Sequence, residues 1–343
     1  MDTIVAKITN DSLTDKKIYE QAGKILREGG LVAFPTETVY GLGADALDEK
    51  ASAKIYAAKG RPSDNPLIVH LADFSQAADY TTSVPPLAYK LAEHFCPGPL
   101  TIILPKNDRI PMITSGGLDT VGIRVPSHPV MHRLIELSGR PIAAPSANIS
   151  GYPSPTSAQH VMRDMNGRIA AVVDGGQSEI GLESTVIAIE GEDSVRILRP
   201  GYVTRERLLE VCSDVVIDHA ILNELGSGEK AASPGMKYKH YSPKADVVMV
   251  EGELSAFTEY VGANLTENTY SLIFDGDEKS FPYKALTYGA DSVQQARLIF
   301  QRLRELDDIG ADKVFVRAPS SEGVGLAVYN RLIRAAGFEV IRI

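Results

Sequence analysis

The sequence predicts an α/β protein with two domains, a mixed-sheet domain followed by a smaller domain with a parallel sheet. Segments with helical and strand periodicity alternate along the 343 residues, a length that suffices for two domains. Three strand-like segments follow one another within residues 169–201 without a helix between them, which implies antiparallel pairing in the first sheet. Residues 226–244 are punctuated by Gly, Ser and Pro and lose apolar periodicity, which is typical of a boundary between domains. We therefore assign residues 1–215 to the first domain, 216–244 to a linker and 245–343 to the second domain.

The first domain begins with a predicted helix and a predicted strand. Ile18, Ala22 and Ile25 recur at helical spacing, and the two glycines at 29 and 30 end the helix before the apolar run LVAFP. The same reasoning predicts the elements that follow. Helices are predicted at 48–60, 86–98, 129–140 and 157–165, and strands at 31–35, 66–72, 100–105, 121–126, 141–146, 169–176, 184–191 and 195–201.

Strands and helices alternate cleanly in the second domain. Strands are predicted at 245–252, 269–276, 313–319 and 339–343, and helices from about residue 253, at 292–310 and at 327–337. A helix separates each strand from the next, which indicates right-handed crossovers and a parallel sheet. The second domain is therefore predicted to be Rossmann-like.

Composition and charge narrow the classes of function. The net charge of -9 opposes binding of nucleic acid or anionic lipid across the whole surface, so a polyanion would have to bind in a local basic cleft. No apolar run approaches the roughly 18 to 20 residues of a membrane span, and the first residues lack the pattern of a signal peptide. The two cysteines lie far apart without a CxxC motif, so no disulfide framework or cysteine zinc site is predicted. We expect a cytoplasmic protein with no membrane partner.

The segment PTETVYGLG, residues 35–43, is a candidate pocket wall. Thr36, Glu37, Thr38 and Tyr40 place four hydrogen-bonding side chains after a strand, where small ligands bind in open α/β sheets. The alternative is a polar turn with glycine punctuation. Its glycines match a loose G-x-G-x-x-A, but a dinucleotide-binding loop needs its first glycine directly after the strand, and PTETVY intervenes.

Other motifs are weaker signals. His128 and His132 have the i, i+4 spacing of a helical metal pair but no third ligand nearby, so the ligands of any metal stay unknown. Ser146 and Ser150 lie in APSANISG, which lacks the G-x-S-x-G motif of a hydrolase nucleophile and fits a close approach of backbone to a ligand better. His70, within a predicted strand, is either a core histidine or a ligand contact.

Cations recur near the ends of the predicted strands and in the linker. Arginine binds planar carboxylate and phosphate groups through paired hydrogen bonds, and lysine binds phosphate as a point charge. A triphosphate together with a carboxylate would account for this pattern, and ATP would bind without a P-loop because no G-x-x-x-x-G-K-[ST] is present. The cations are Lys59, Arg61, Arg124, Arg199, Lys237 and Lys239.

Seven ordered motifs resemble the signature blocks of the YrdC-like L-threonylcarbamoyladenylate synthases. They are PTETVYGLG, KGRPSDNPLIVH, PGPLTIIL, VGIRVPSHP, APSANISG, GLESTVI and ILRPG. The linker SPGMKYKHYSP and the second α/β domain resemble the long, two-domain form of that family. The resemblance implies a YrdC-like mixed-sheet catalytic domain and a linker that reaches over the active site.

The resemblance implies an activity and its partners. L-threonine, bicarbonate or CO2, and ATP would give threonylcarbamoyl-AMP and pyrophosphate, with Mg2+ accompanying ATP. The reaction would be adenylyl transfer to the carbamate of threonine, which makes the protein a nucleotidyltransferase. Its product would serve threonylcarbamoyladenosine modification of tRNA, with tRNA an indirect partner through the downstream transferase.

The resemblance also implies roles for individual residues. The threonine pocket would be lined by Thr38, His70, Arg124, Ala144 and Ser184. ATP would be held by Lys59, Arg61, Asn65, Thr120, Ser146, Ser154 and Arg199, and by Tyr238 and His240 from the linker. Lys59 and Arg61 are the expected catalytic residues. The sequence KGRP carries glycine where many relatives have a second basic residue.

Two other functions remain open from the sequence. A cleft rich in cations could serve a module that binds double-stranded RNA or tRNA, although the acidic total argues against that as the main function. YrdC-like domains also occur in hydrogenase maturation proteins that use carbamoyl phosphate, but this chain lacks their zinc-finger and acylphosphatase segments.

Overall fold

The computed structural model describes residues 2–9, 11–223 and 241–343, which form two α/β domains. The helices are α1 (Ser12–Arg27), α2 (Glu49–Lys59), α3 (Pro86–Phe95), α4 (Pro129–Ser138), α5 (Ala158–Met165), α6 (Arg205–Leu208), α7 (Leu254–Ala263), α8 (Ser292–Asp308) and α9 (Gly323–Ala335). The strands of the first domain are β1 (Ile4–Lys7), β2 (Val32–Phe34), β3 (Gly41–Asp45), β4 (Ile68–His70), β5 (Leu100–Pro105), β6 (Thr120–Arg124), β7 (Ile142–Ala143), β8 (Ala171–Asp174), β9 (Thr185–Ile189), β10 (Ser194–Arg199) and β11 (Asp214–Ile217). Those of the second are β12 (Asp246–Glu251), β13 (Thr269–Ile273), β14 (Ala285–Thr287), β15 (Lys313–Arg317) and β16 (Val340–Arg342). None of the helices in these ranges is long and apolar enough to cross a membrane.

The first domain is built on an 11-stranded mixed sheet in the order β1-β8-β2-β3-β7-β4-β6-β5-β9-β10-β11. β9 and β10 are antiparallel neighbours, as the strand run without helices implied. β8, the first strand of that run, lies apart from them because it pairs in parallel with β1 and β2. The last strand, β11, ends at Ile217, just beyond the predicted boundary at 215.

The second domain has a five-stranded sheet in the order β14-β13-β15-β12-β16, and every neighbouring pair is parallel. The helices α7, α8 and α9 connect its strands in chain order. The mixed sheet followed by this parallel sheet confirms the predicted fold class.

Residues Gly41–Asp45 form β3, where the sequence indicated only a loop. A Cβ atom at Gly41 or Gly43 would lie 2.8 or 2.4 Å from the ring of Phe34 on the neighbouring strand β2. The ring lies against the β3 backbone, so both positions require glycine even though glycine is a poor strand former. The two glycines are therefore explained by close packing between β2 and β3.

Three further strands were not predicted, and each lies at the edge of a sheet. β1, β11 and β14 pair with one neighbour each. Their side chains are mostly exposed or only partly buried, so their sequences lack the apolar run of a central strand.

The two domains pack against each other through a shared core and buried ion pairs. Val39 and Leu182 of the first domain lie in the same apolar cluster as residues of the second. Arg304 on α8 donates two hydrogen bonds to the carboxylate of Asp164 on α5, at 3.1 and 2.6 Å. A Cβ at Gly181 would lie 2.5 Å from the backbone of Arg297, so the domains meet there at backbone distance. This interface fixes the second domain beside the site described next.

Candidate active site

A cavity lies at the carboxyl ends of several strands of the first sheet. His70, Arg124 and Arg199 are the last residues of β4, β6 and β10, and all three line it. Its position is that of a small-molecule site in an open α/β sheet. The lining residues are Thr36, Thr38, Val39, Gly41, Arg61, Pro66, Ile68, His70, Arg124, Ala144, Pro145, Ser146, Glu183, Ser184, Arg199 and Tyr241.

The segment after β2 forms one wall of this cavity. Thr36 donates from Oγ1 to the Val39 carbonyl oxygen at 2.6 Å, and its Oγ1 lies 2.8 Å from Oγ1 of Thr38. These bonds hold Thr36 and Thr38 as a tight turn that faces the cavity. Tyr40 instead donates its hydroxyl to the Gly176 carbonyl oxygen at 2.5 Å and is not among the lining residues.

Arg124 forms a buried ion pair with Glu37. Arg124 Nη2 donates to Glu37 Oε1 at 2.6 Å, and both side chains are about 95% buried (5% and 6% exposed). Among the described residues, Arg124 Nε and Glu37 Oε2 are buried without a hydrogen-bond partner. A buried guanidinium N–H without an acceptor is costly, so the site favours a ligand that brings an anionic oxygen to it.

His70 is held as a neutral imidazole. Its Nδ1 lies 3.2 Å from the Ile68 carbonyl oxygen and 3.3 Å from that of Ile142. Carbonyl oxygens only accept hydrogen bonds, so Nδ1 carries the proton and Nε2 is left as an acceptor. Burial, with a smaller effect of the Arg124 cation, lowers the pKa of His70 to about 3.

Arg61 is fixed by the backbone of the turn that follows it. Its Nε donates to the Asn65 carbonyl oxygen at 3.2 Å and its Nη2 to that of Pro66 at 3.1 Å. Burial lowers the pKa of Arg61 to about 10, so it remains a cation at neutral pH. Asn65 does not line the cavity, but its buried Oδ1 has no hydrogen-bond partner among the described residues.

Arg199 and Ser184 form a second polar group that lines the cavity. Arg199 donates from Nε to the Ser184 carbonyl oxygen at 3.0 Å and from Nη2 to Ser184 Oγ at 3.1 Å. Ser184 Oγ also lies 2.8 Å from Thr101 Oγ1. Burial lowers the pKa of Arg199 to about 10, which again leaves it charged at neutral pH.

Lys59 does not line the cavity but contacts Ser146, which does. Its ammonium donates to the carbonyl oxygens of Ser146 and Asn148, the latter at 2.6 Å, and lies 3.3 Å from Asn148 Oδ1. Lys59 is 1% exposed, and burial holds its pKa well below the usual range. It therefore fastens the loop that presents Ser146, and a direct contact with phosphate stays a prediction.

The remaining predicted site residues lie in different places. Ala144 lines the cavity beside Ser146, as the prediction requires. Ser154 is buried behind the wall, with its Oγ on the carboxylate of Glu183. Thr120 is the first residue of β6, at the opposite end of the strand from Arg124, and Thr120 does not line the cavity. Its predicted contact with ATP stays a prediction.

The predictions made for the linker fall outside the described residues. These are the reach of the linker over the site and the roles of Lys237, Tyr238, Lys239 and His240. The next residue, Tyr241, lines the cavity with a left-handed backbone (φ 66°) and is 2% exposed.

Sequence reasoning gave no role to Glu183, although Glu183 lines the cavity. Glu183 stands within the quoted GLESTVI motif, where a carboxylate next to a predicted ligand residue was the available signal. Tyr241 ends the aromatic and basic run 237–241, and the sequence predicted that this run could contribute groups to a site, without a specific role for Tyr241.

The fold and the cavity define a two-domain α/β protein with a cavity lined by buried arginines. Residues 24–201 match the profile of the Sua5/YciO/YrdC family, which is described as Telomere recombination, and residues 203–337 match that of the threonylcarbamoyl-AMP synthase C-terminal domain. The chain belongs to the Sua5/YciO/YrdC family, in its long form with both domains.

Relatives of known name match this chain along nearly its whole length. The threonylcarbamoyl-AMP synthase of Pyrococcus abyssi is 45% identical over 99% of this chain and 100% of its own. That of Bacillus subtilis is 44% identical over 98% of this chain and 97% of its own. The crystal structure of P. abyssi Sua5 complexed with L-threonine superposes with a TM-score of 0.89 at 40% identity, covering both chains completely.

Proposed function

We propose that this chain is a threonylcarbamoyl-AMP synthase, an enzyme that transfers the adenylyl group of ATP to threonine carbamate. Its substrates are L-threonine, bicarbonate or CO2, and ATP, and its products are threonylcarbamoyl-AMP and pyrophosphate. The observation that carries the proposal is one cavity in which Arg124, His70 and Thr38 meet Arg61 and Arg199, in a chain similar over its full length to a threonine-bound relative.

Threonine fits the part of the cavity around Arg124. The unpartnered Arg124 Nε offers a donor for the amino-acid carboxylate, which is a charge-assisted hydrogen bond in a site shielded from water. His70 Nε2 is an acceptor for the ammonium or the hydroxyl of threonine. Its low pKa makes His70 a hydrogen-bond partner rather than a strong base.

The chemistry then proceeds in two balanced steps. The ammonium of threonine first loses a proton to water. The lone pair of the amine then attacks the carbon of CO2; the N–C bond forms, one C=O π bond breaks onto its oxygen, and a second proton passes from nitrogen to water, which leaves the carbamate. A carbamate oxygen next attacks the α-phosphorus of ATP; an O–P bond forms, the bond to the bridging oxygen breaks, and pyrophosphate leaves with that electron pair. This step needs alignment and charge neutralisation more than covalent help from the protein.

Arg61 and Arg199 are the residues placed to neutralise the phosphates. Both line the cavity, both are held by backbone carbonyl oxygens, and both keep a charge at neutral pH. Cations that are already oriented stabilise developing negative charge without a cost of reorganisation. Tyr241 closes the same cavity and reduces the access of water to the carbamate.

Mg2+ is proposed to enter with ATP as part of the substrate. The two carboxylates at the cavity, Glu37 and Glu183, are each paired with an arginine. The described residues also contain no cluster of three or more His, Cys, Asp or Glu side chains that could hold a metal. The described part of the chain therefore offers no built magnesium site, and the ion is proposed to rely on phosphate oxygens and water.

The RNA-binding alternative gains no support from the arrangement of the cations. Arg61, Arg124, Arg199 and Lys59 are between 1% and 7% exposed. A nucleic-acid backbone needs cations on an open surface, whereas a small molecule can enter a cavity. A tRNA would be served indirectly, through the product.

The function is tested by release of pyrophosphate from the purified full-length chain. Release is expected only when threonine, bicarbonate and ATP are all present, and mass spectrometry is expected to find threonylcarbamoyl-AMP. Pyrophosphate release that does not depend on threonine would contradict the proposal. Equal release when carbamoyl phosphate replaces threonine would also contradict it.

Buried neutral histidines predict a loss of stability in mild acid. Unfolded histidines bind a proton near pH 6.5, whereas burial lowers the pKa of His70 to about 3 and that of His160 to about 4. The unfolded state therefore binds more protons below pH 6.5, and the free energy of unfolding falls as the pH falls. At pH 5 each histidine accounts for up to about 2 kcal/mol.

Denaturant unfolding at pH 7, 6 and 5 measures this loss. The variant H160Q lies outside the cavity and is expected to retain about half of the pH dependence. A free energy of unfolding that does not change between pH 7 and 5 would contradict the neutral state of both histidines.

A further inference from the structure

A carboxylate at the wall of the cavity is held from the second domain. Glu183 lines the cavity, and its Oε1 accepts a hydrogen bond from Ser154 Oγ. Its Oε2 accepts a hydrogen bond from Nε of Arg331 at 2.9 Å. Arg331 belongs to α9, so an ion pair between the domains ends directly at the site.

Arg331 is more constrained than an ordinary interface arginine. It is 0% exposed, and its Nη1 donates to the Pro200 carbonyl oxygen at 2.8 Å and lies 3.0 Å from Asn330 Oδ1. Its guanidinium also lies over the ring of Tyr241, 5.6 Å from the ring centroid. One guanidinium thus fixes two cavity residues, Glu183 and Tyr241, together with the segment that follows Arg199.

The position of Glu183 affects the cations that face the ligand. Arg199 is a further cation that acts on the Glu183 carboxylate, and Arg199 also holds Ser184. Without Arg331, a buried carboxylate would be left without its ion-pair partner, which is unfavourable. The available compensation is a move of Glu183 toward Arg199, which would draw the guanidinium of Arg199 away from phosphate.

We propose that Arg331 is a positioning residue for catalysis, through which the second domain holds Glu183 and so keeps Arg199 oriented toward ATP. The inference rests on the proposed function because it assigns this wall of the cavity to the nucleotide. It gives the second domain a part in building the active site. The threonine side, built from Arg124, His70 and Thr38, belongs wholly to the first domain.

The test compares two methionine variants of the full-length chain. R331M removes the ion pair at the cavity, and R304M removes the buried pair with Asp164, which also joins the domains but does not reach the cavity. The two arginines are similarly buried, at 0% and 4% exposed, so the chemical change is matched. Steady-state pyrophosphate release gives KM for ATP, KM for threonine and kcat, and thermal unfolding gives stability.

R331M is expected to raise KM for ATP roughly tenfold or more and to lower kcat. The reason is that a displacement of the Arg199 guanidinium by about 1 Å weakens its contact with phosphate and misaligns the reacting groups. KM for threonine should rise less than KM for ATP, because among the residues predicted to bind threonine Arg199 holds Ser184 alone. R304M is expected to lower stability with KM for ATP close to that of the wild type. R331K should recover part of the affinity for ATP, because it restores a charge near Glu183 without the planar fork.

Variants of Glu183 keep the inference testable if R331M folds poorly. E183Q removes the buried charge, so E183Q/R331M should unfold at a higher temperature than R331M, and its KM for ATP should be no higher than that of R331M. Equal KM values for ATP in R331M and R304M would overturn the inference. It would also be overturned if the change in KM for ATP of E183Q/R331M equalled the product of the changes of the two single variants. Failure of the wild type to release pyrophosphate would instead count against the proposed function.

Discussion

Replacement of Arg124 with methionine is expected to abolish threonine binding and to lower the free energy of unfolding by about 3–5 kcal/mol. The binding loss follows because Arg124 Nε is the buried donor left for the threonine carboxylate. The stability loss follows because Glu37, 4% exposed, would keep a buried charge without its partner at 2.6 Å. Calorimetric titration with threonine and denaturant unfolding measure the two effects separately.

The double variant R124M/E37Q separates stability from binding. Neutralising Glu37 removes the unpaired charge, so the double variant is expected to regain most of the lost stability. It should still bind no threonine, because the carboxylate has lost its cation. Threonine binding by R124M with near wild-type affinity would show that another group holds the carboxylate.

The order of the main elements could be predicted because their sequences carry the periodicity of the elements themselves. α1 and α8 have one apolar face, and β5 and β15 are apolar runs between turns. β3 could not be predicted, because its glycines are required by the ring of Phe34 and that contact depends on how β2 and β3 pair. Local sequence carries propensity, whereas such a contact exists only after folding.

Some features of the candidate site could likewise be predicted from the sequence, and others could not. The convergence of Arg124 and Arg199 could be expected, since each is the last residue of its strand and the carboxyl ends of strands meet in open sheets. Arg61 instead precedes β4, and its position at the same cavity depends on the fold of the turn after α2. The ion-pair partner of each charge could not be predicted from the sequence. Glu183 and Arg331 are 148 positions apart in the chain, and nothing in the local sequence around either residue indicates the other.

The pairing of Glu37 with Arg124 shows what the structure adds to the interpretation of one residue. From the sequence, Glu37 was a polar group in a pocket wall. In the structure it neutralises Arg124, so the cavity carries less positive charge than its cations alone suggest. This balance favours a ligand that has both a carboxylate and an ammonium over a simple anion such as phosphate at this position.

Replacement of Lys59 with methionine is expected to reduce turnover at least about 100-fold, because a displaced loop misaligns the groups that face the ligand. The ammonium of Lys59 is a donor for the carbonyl oxygens of Ser146 and Asn148, and Ser146 lines the cavity. Leaving two buried carbonyl oxygens without this donor costs about 1–3 kcal/mol each, partly offset by removal of a buried cation. We therefore also expect a net loss of stability of about 2 kcal/mol.

Lys54 offers a control on the exposed side of the same helix. Its ammonium donates to the Gly29 carbonyl oxygen at 2.6 Å, and it does not line the cavity. K54M is expected to keep turnover within about twofold of the wild type, because it removes a lysine bond to a carbonyl oxygen without moving the loop at Ser146. If K59M retained wild-type turnover with lowered stability, Lys59 would be a structural residue and its predicted catalytic role would be wrong.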